Sequence, residues 1–127
     1  MIVLDASVAV SGLLNAGRAR DVLAHEQLHA PHLIDTEVAS VLRRHVNAGT
    51  LTASGGWQCL NTFSRLGITR YPALGVVDRV WALRENLSAY DATYVALAEM
   101  LACPLITADA RLARAPGPKC DITILPA

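Results

Sequence analysis

With 127 residues, 53% of them apolar and 17% charged, the chain can bury one substantial core and carries less charge than the roughly one quarter of an average soluble domain, which leaves apolar surface for a partner. Eleven basic and eleven acidic side chains cancel, which excludes gripping nucleic acid by bulk electrostatics but leaves room for a local site. Cys59, Cys103 and Cys120 form no CxxC pair and no apolar run reaches the roughly 20 residues of a membrane span, so a cytoplasmic protein without disulfide framework or zinc site is expected.

The stretch "MIVL" is a short strand of the buried type ending at Asp5, and "ASVAVSGLLNAG" behind it has helical spacing closed by Gly17. An acid at position 5 and the lack of a basic leader separate this opening from a signal sequence. "RARDVLAHEQ" continues as helix and Pro31 breaks the pattern. "HLIDTEVASVLRRHVNAG" is an amphipathic helix ended by Gly49, and "LTASGGWQCLNTFSRLG" reads as another, so residues 31–66 are expected to form a projecting helical pair. "ITRYP" is a strand, "LGVVDRVWALREN" a helix, "SAYDATYVALAEMLA" a buried helix, "PLIT" a strand, "ADARLARA" a short helix, and "ITIL" a last strand after the turn "PGPK". This alternation predicts an α/β fold with a parallel sheet, one unit over residues 1–127 without linker or repeat.

Four acids stand where such a fold concentrates chemistry. Asp5 precedes a helix and suits an N-cap, Asp91 follows Ser88 at capping-box spacing, and Asp109 in "TADARL" suits the first turn of a helix. Glu37 lies inside its helix beside Leu33, Ile34 and Val41, with no base one turn on. Taken together the four read differently. The carboxyl ends of parallel strands share one edge, where ligands bind, and Asp5 and Asp109 each follow a strand. Asp91 begins the helix that leads into the second of those strands, and a helix over the same edge delivers Glu37. Four carboxylates in a partly apolar crevice raise one another's pKa unless a hard cation holds them, and an oxygen-only set selects Mg²⁺ or Mn²⁺.

The segments "MIVLDASV", "DTEVASVLRR" and "YDATYVALAEMLACPLITADARL", in this order and spacing, resemble the PIN-domain family, specifically its VapC-type ribonuclease toxins. The resemblance covers essentially the whole chain. It implies a three-layer α/β/α fold with a central, mainly parallel sheet. It also implies that Asp5, Glu37, Asp91 and Asp109 are the metal-binding and catalytic acids, with Thr107 and Ser7 as hydroxyl neighbours. Some family members carry a further acid shortly after the fourth; here Ala110 follows Asp109, which leaves four. The implied activity is Mg²⁺-dependent cleavage of structured RNA, tRNA or rRNA, with Mn²⁺ as a substitute. The implied partners are a second copy of the chain and a VapB-like antitoxin.

Other residues have plainer readings. His25, His29, His32 and His45 share no ligand spacing; Arg43 and Arg44 suit a solvated helix face, with contact to RNA phosphates as the alternative; and core packing is expected for Trp57 and Trp81, with base stacking or an interface as the alternative. Asp35, Asp78 and Asp121 are surface or turn acids. The rival readings are a receiver-like phosphoacceptor, which needs paired acids after the first strand where "VLDAS" has one, and a PIN-like binding module without catalysis, for which one of the four acids should be missing.

Overall fold

Five short strands form the centre of the molecule, in a computed structural model that describes residues 1–126. Strand β1 (Ile2–Leu4) is buried throughout and lies between β2 (Leu28–Pro31) and β4 (Leu105–Thr107). Strands β3 (Thr69–Tyr71) and β5 (Ile122–Ile124) form the edges, giving the order β3-β2-β1-β4-β5 with every pairing parallel. Val3 is in register with Leu105 and Leu4 with Ile106. The chain runs outward from β1 through β2 to β3, then returns to the other side of β1 for β4 and β5. The direction of winding therefore reverses between β1 and β4. At such a reversal the two strand ends diverge into different loops and leave a crevice.

Seven helices flank the sheet among the described residues: α1 (Ala6–Leu14), α2 (Arg18–His25), α3 (Leu33–Asn47), α4 (Ala53–Ser64), α5 (Val77–Ala82) after a 3₁₀ turn at Ala73–Val76, α6 (Ala89–Leu101) and α7 (Ala110–Arg114). This is the α/β architecture that the alternation of elements predicts. Helix α6 is buried from Ala92 to Ala98 and lies against β1, β2 and β4, where its alanines let backbone approach backbone. A face without charged groups makes that position possible, and it carries Asp91 to the strand ends. Val3, Leu4, Val8, Ile34, Val38, Val95 and Leu105 are all without solvent contact and fill the centre of the core.

Three expectations change. The helix read through Gln27 ends at His25, and Leu28–Pro31 is a strand inserted between β1 and β3. Four residues with a histidine and a terminal proline give no strand signal alone. The strand exists because both neighbours supply its hydrogen-bond partners, and Pro31 is tolerated at its last position. The helical pair α3–α4 forms but packs back on α1 instead of projecting. Trp57 and Trp81 are not core residues: they are 66% and 68% exposed, and the Arg84 guanidinium lies 4.8 Å from the Trp81 ring centre. Among the described residues no helix is long and apolar enough to cross a membrane.

Helix α6 ends at Ala102 in the left-handed region, φ 53° and ψ 46°. A Cβ in that conformation costs about 1–2 kcal/mol, part of which glycine returns through the entropy of its unfolded state. Ala102→Gly should therefore stabilise the protein by about 0.5–1 kcal/mol in urea denaturation. A loss of stability would mean that the methyl group makes contacts that outweigh the strain.

A four-carboxylate crevice as the candidate active site

Two hydroxyl groups organise the crevice at the winding reversal. Asp5, directly after β1, caps α1 by accepting the Val8 N–H at 3.2 Å, as an N-cap reading requires. The same carboxylate accepts the Ser7 hydroxyl at Oδ1 (2.6 Å) and the Thr107 hydroxyl at Oδ2. Each hydroxyl also works in the opposite sense: Ser7 Oγ accepts the Ala108 N–H at 3.0 Å, and Thr107 Oγ1 accepts the Asp109 N–H at 3.1 Å. The ends of β1 and β4 are thus tied through side chains where their backbones part. Thr107 is fully buried, and its donor and acceptor are both used.

The other acids arrive on three helices. Asp91 lies in the first turn of α6, whose cap is the Ser88 hydroxyl accepting the Asp91 N–H at 3.1 Å. That cap uses the backbone of Asp91, not its carboxylate. Asp109 caps α7 by accepting the Arg111 N–H at 3.0 Å, and the Arg111 guanidinium holds both its oxygens at 3.2 and 3.1 Å. Glu37, half-buried on α3, accepts the hydroxyl of Tyr94 at Oε1 (2.6 Å). Tyr94 is 2% exposed and sits on α6 one turn after Asp91, so one bond fixes the α3 acid to the helix that carries another.

All four predicted acids line a single cavity of about 440 Å³, together with Ser7, Arg44, His45 and Tyr94. Thr107 stands behind its wall and reaches the cavity through Asp5. Burial raises the pKa of Asp5, and the nearby Asp91 adds to the rise against the pull of the Ser7 and Thr107 hydroxyls. Burial also raises Glu37, with Asp5 and Asp91 adding to it and the Tyr94 hydroxyl and Arg44 opposing. Asp91 is raised by burial and by Asp109. Asp109 alone is lowered, by the Arg111 guanidinium. Burial and the Glu37 carboxylate push the Tyr94 phenol far above its usual range, so it remains a donor.

Three carboxylates that repel one another in a half-dry cavity form the electrostatic environment a divalent cation relieves, and the donors are all oxygens. They do not form a closed cage: among the described residues no three His, Cys, Asp or Glu side chains converge closely enough to hold a metal between them. Arg111 holds Asp109 and Tyr94 holds Glu37, so in this arrangement a cation would meet part of the set through water. Tyr94 had no assigned role in the sequence reading, and Arg44, read there as part of a solvated helix face, is exposed but also lines the cavity. For Tyr94 a signal existed, since a residue three after Asp91 shares its helix face. The acid is single after β1, and Lys119 lies away from the crevice with its N–H on Glu99, so the receiver-like reading finds neither of its requirements.

Known proteins resemble this chain in sequence and in fold. The PIN domain family pattern matches residues 2–118. Ribonuclease VapC9 of Mycobacterium tuberculosis is 53% identical over 126 residues, covering 99% of both chains. Ribonuclease VapC1 of the same organism is 38% identical, covering 97% of this chain and 96% of the relative. The crystal structure of PAE2754 from Pyrobaculum aerophilum superposes with a TM-score of 0.73 at 22% identity, covering 97% of this chain and 83% of the other, a likeness of fold.

The pKa directions give a sign for stability without metal. A carboxylate whose folded pKa is raised contributes fully below its unfolded value, and the contribution is lost as pH rises through the folded value. Asp5, Glu37 and Asp91 behave so, and Asp109 behaves oppositely. In chelator, Asp91→Asn should therefore melt at or above the wild type at pH 7, with its advantage shrinking as pH falls into the ordinary carboxylate range. A variant that melts lower at every pH would show that the carboxylate holds the fold together.

Proposed function

Because the chain belongs to the PIN-domain family, among its VapC ribonucleases, we propose that the crevice hydrolyses RNA phosphodiester bonds with Mg²⁺ or Mn²⁺, as the toxin of a VapBC-type pair. The observation that carries this reading is the convergence of Asp5, Glu37, Asp91 and Asp109 on one cavity at the winding reversal. Asp5, Asp91 and Asp109 would hold the cation, directly or through water, and Glu37 completes the set. When bound, the cation supplies Lewis acidity toward the phosphate and lowers the pKa of a water.

The chain's own groups do the rest. The Ser7 and Thr107 hydroxyls hold both oxygens of Asp5 and so keep its remaining lone pairs aimed at one place. Tyr94 occupies Oε1 of Glu37 and leaves Oε2 to orient a water or accept its proton, a role that a carboxylate with raised pKa suits. The apolar wall of α1, with Val10 and Leu14, limits the water that competes for these groups.

The same reading includes structured RNA, tRNA or rRNA, as substrate, a single domain acting in the cytoplasm, a homodimer, and a VapB-like antitoxin. A groove of about 500 Å³ between α1, α2 and α4, with Leu13, Leu23, Leu51 and Leu66 along it, supports the last of these. It overlaps residues 31–66, whose second half supplies one wall.

Purified protein freed of any partner should cut RNA endonucleolytically with Mg²⁺ or Mn²⁺ and stop in EDTA. A ligand that binds only the folded state at a hundredfold excess over its dissociation constant stabilises by about 2.7 kcal/mol. Mg²⁺ should thus raise the wild-type melting temperature and leave Asp91→Asn unmoved and inactive; cleavage that survives EDTA, or an Asp91→Asn protein that keeps both responses, would sink the assignment. Adding the cognate antitoxin should slow amide exchange in α4, and unchanged exchange there would remove the groove from the reading.

A further inference from the structure

The acids Asp91 and Asp109 form the rim between two concavities. On one side lies the 440 Å³ cavity, which contains Arg44, and on the other a recess of about 200 Å³ lined by Asn86, Arg111 and Leu112 among others. The two share only Asp91 and Asp109. We propose that a single RNA strand crosses this rim, with Arg44 taking a phosphate on one side and the small recess taking the neighbouring nucleotide on the other, Arg111 at its phosphate and Asn86 at its base. This rests on the ribonuclease reading above and extends it to the path of the substrate.

A polyanion meets repulsion at a cluster of carboxylates, and a chain of zero net charge offers no general attraction to offset it. Cations must therefore stand beside the acids, and one stands on each side. Arg44 is exposed and takes part in none of the ion pairs among the described residues, so its charge is available. Arg111 is held at the rim by Nε and Nη2 on Asp109, with Nη1 left over and the side chain 84% exposed. A guanidinium anchored in this way can take a phosphate oxygen through its free N–H groups, a geometry that lysine lacks. The recess is mostly polar, with the half-buried Leu87 as its apolar contact and Leu112 buried behind it, and the exposed Asn86 amide, with two donors and an acceptor, can read the edge of a base. The recess admits one unstacked base and not a duplex.

The test compares wild type with Arg44→Gln, Arg44→Lys, Arg111→Gln and Asn86→Ala, all checked for unchanged melting, on RNA in Mg²⁺ between about 50 and 200 mM salt. Arg44→Gln and Arg111→Gln should each raise KM several-fold and reduce the slope of log(kcat/KM) against log salt by about 0.7, the change for one phosphate contact on a single strand. Arg44→Lys should restore the slope, because the charge is what is counted. Asn86→Ala should keep the slope and alter which nucleotides flank the cut. Wild-type KM and slope in both glutamine variants would overturn the strand path, and an unchanged cut-site preference in Asn86→Ala would overturn the base-reading recess. A wild type that cuts no RNA at all would overturn the ribonuclease reading itself, a result distinct from either.

Discussion

The two hydroxyls that grip Asp5 are the constraint on which the site depends. Ser7 comes from the first turn of α1 and Thr107 from the end of β4, and each donates to one oxygen of the carboxylate while accepting an N–H from the loop after β4. Backbone pairing stops where β1 and β4 separate, and these four bonds continue the connection in side chains. They set the distance between the segment that carries Asp5 and the one that carries Asp109. A buried hydroxyl that loses its partner costs about 1–3 kcal/mol, so the arrangement is also cooperative: no member relaxes without exposing another.

Around that fixed point the acids are held in tension. Burial and mutual repulsion raise three of them, while the groups that pull the other way are a phenol, two guanidinium groups and the hydroxyls. A fold selected for stability alone would place apolar residues in such a crevice. The strain is stored where a charged ligand can release it, which links the weakest part of the electrostatics to the strongest part of the chemistry.

Much of this was legible in the sequence. The strand ends at Asp5 and Asp109, the buried helix from Ala89 and the internal position of Glu37 follow from apolar runs and helical spacing, and those four placements are enough to assemble the crevice. Strand β2 was not legible, because Leu28–Pro31 owes its conformation to neighbours remote in the chain. The bond from Tyr94 to Glu37 spans 57 positions and depends on how α3 meets α6. The exposure of Trp57 and Trp81 was misread for a related reason: size and apolarity favour burial on average, but only the packing of α4 and α5 decides which face they occupy.

The edges of the sheet carry a further meaning. Both β3 and β5 are three residues long, and the chain passes almost at once into proline, Pro72 directly after β3 and Pro126 two residues after β5. A proline at each exit removes the N–H that an incoming strand would need to extend its ladder, and three residues give little length to grip. Short edges that run out into proline limit how far an added strand could extend its pairing, one of the ways sheets discourage aggregation at their edges.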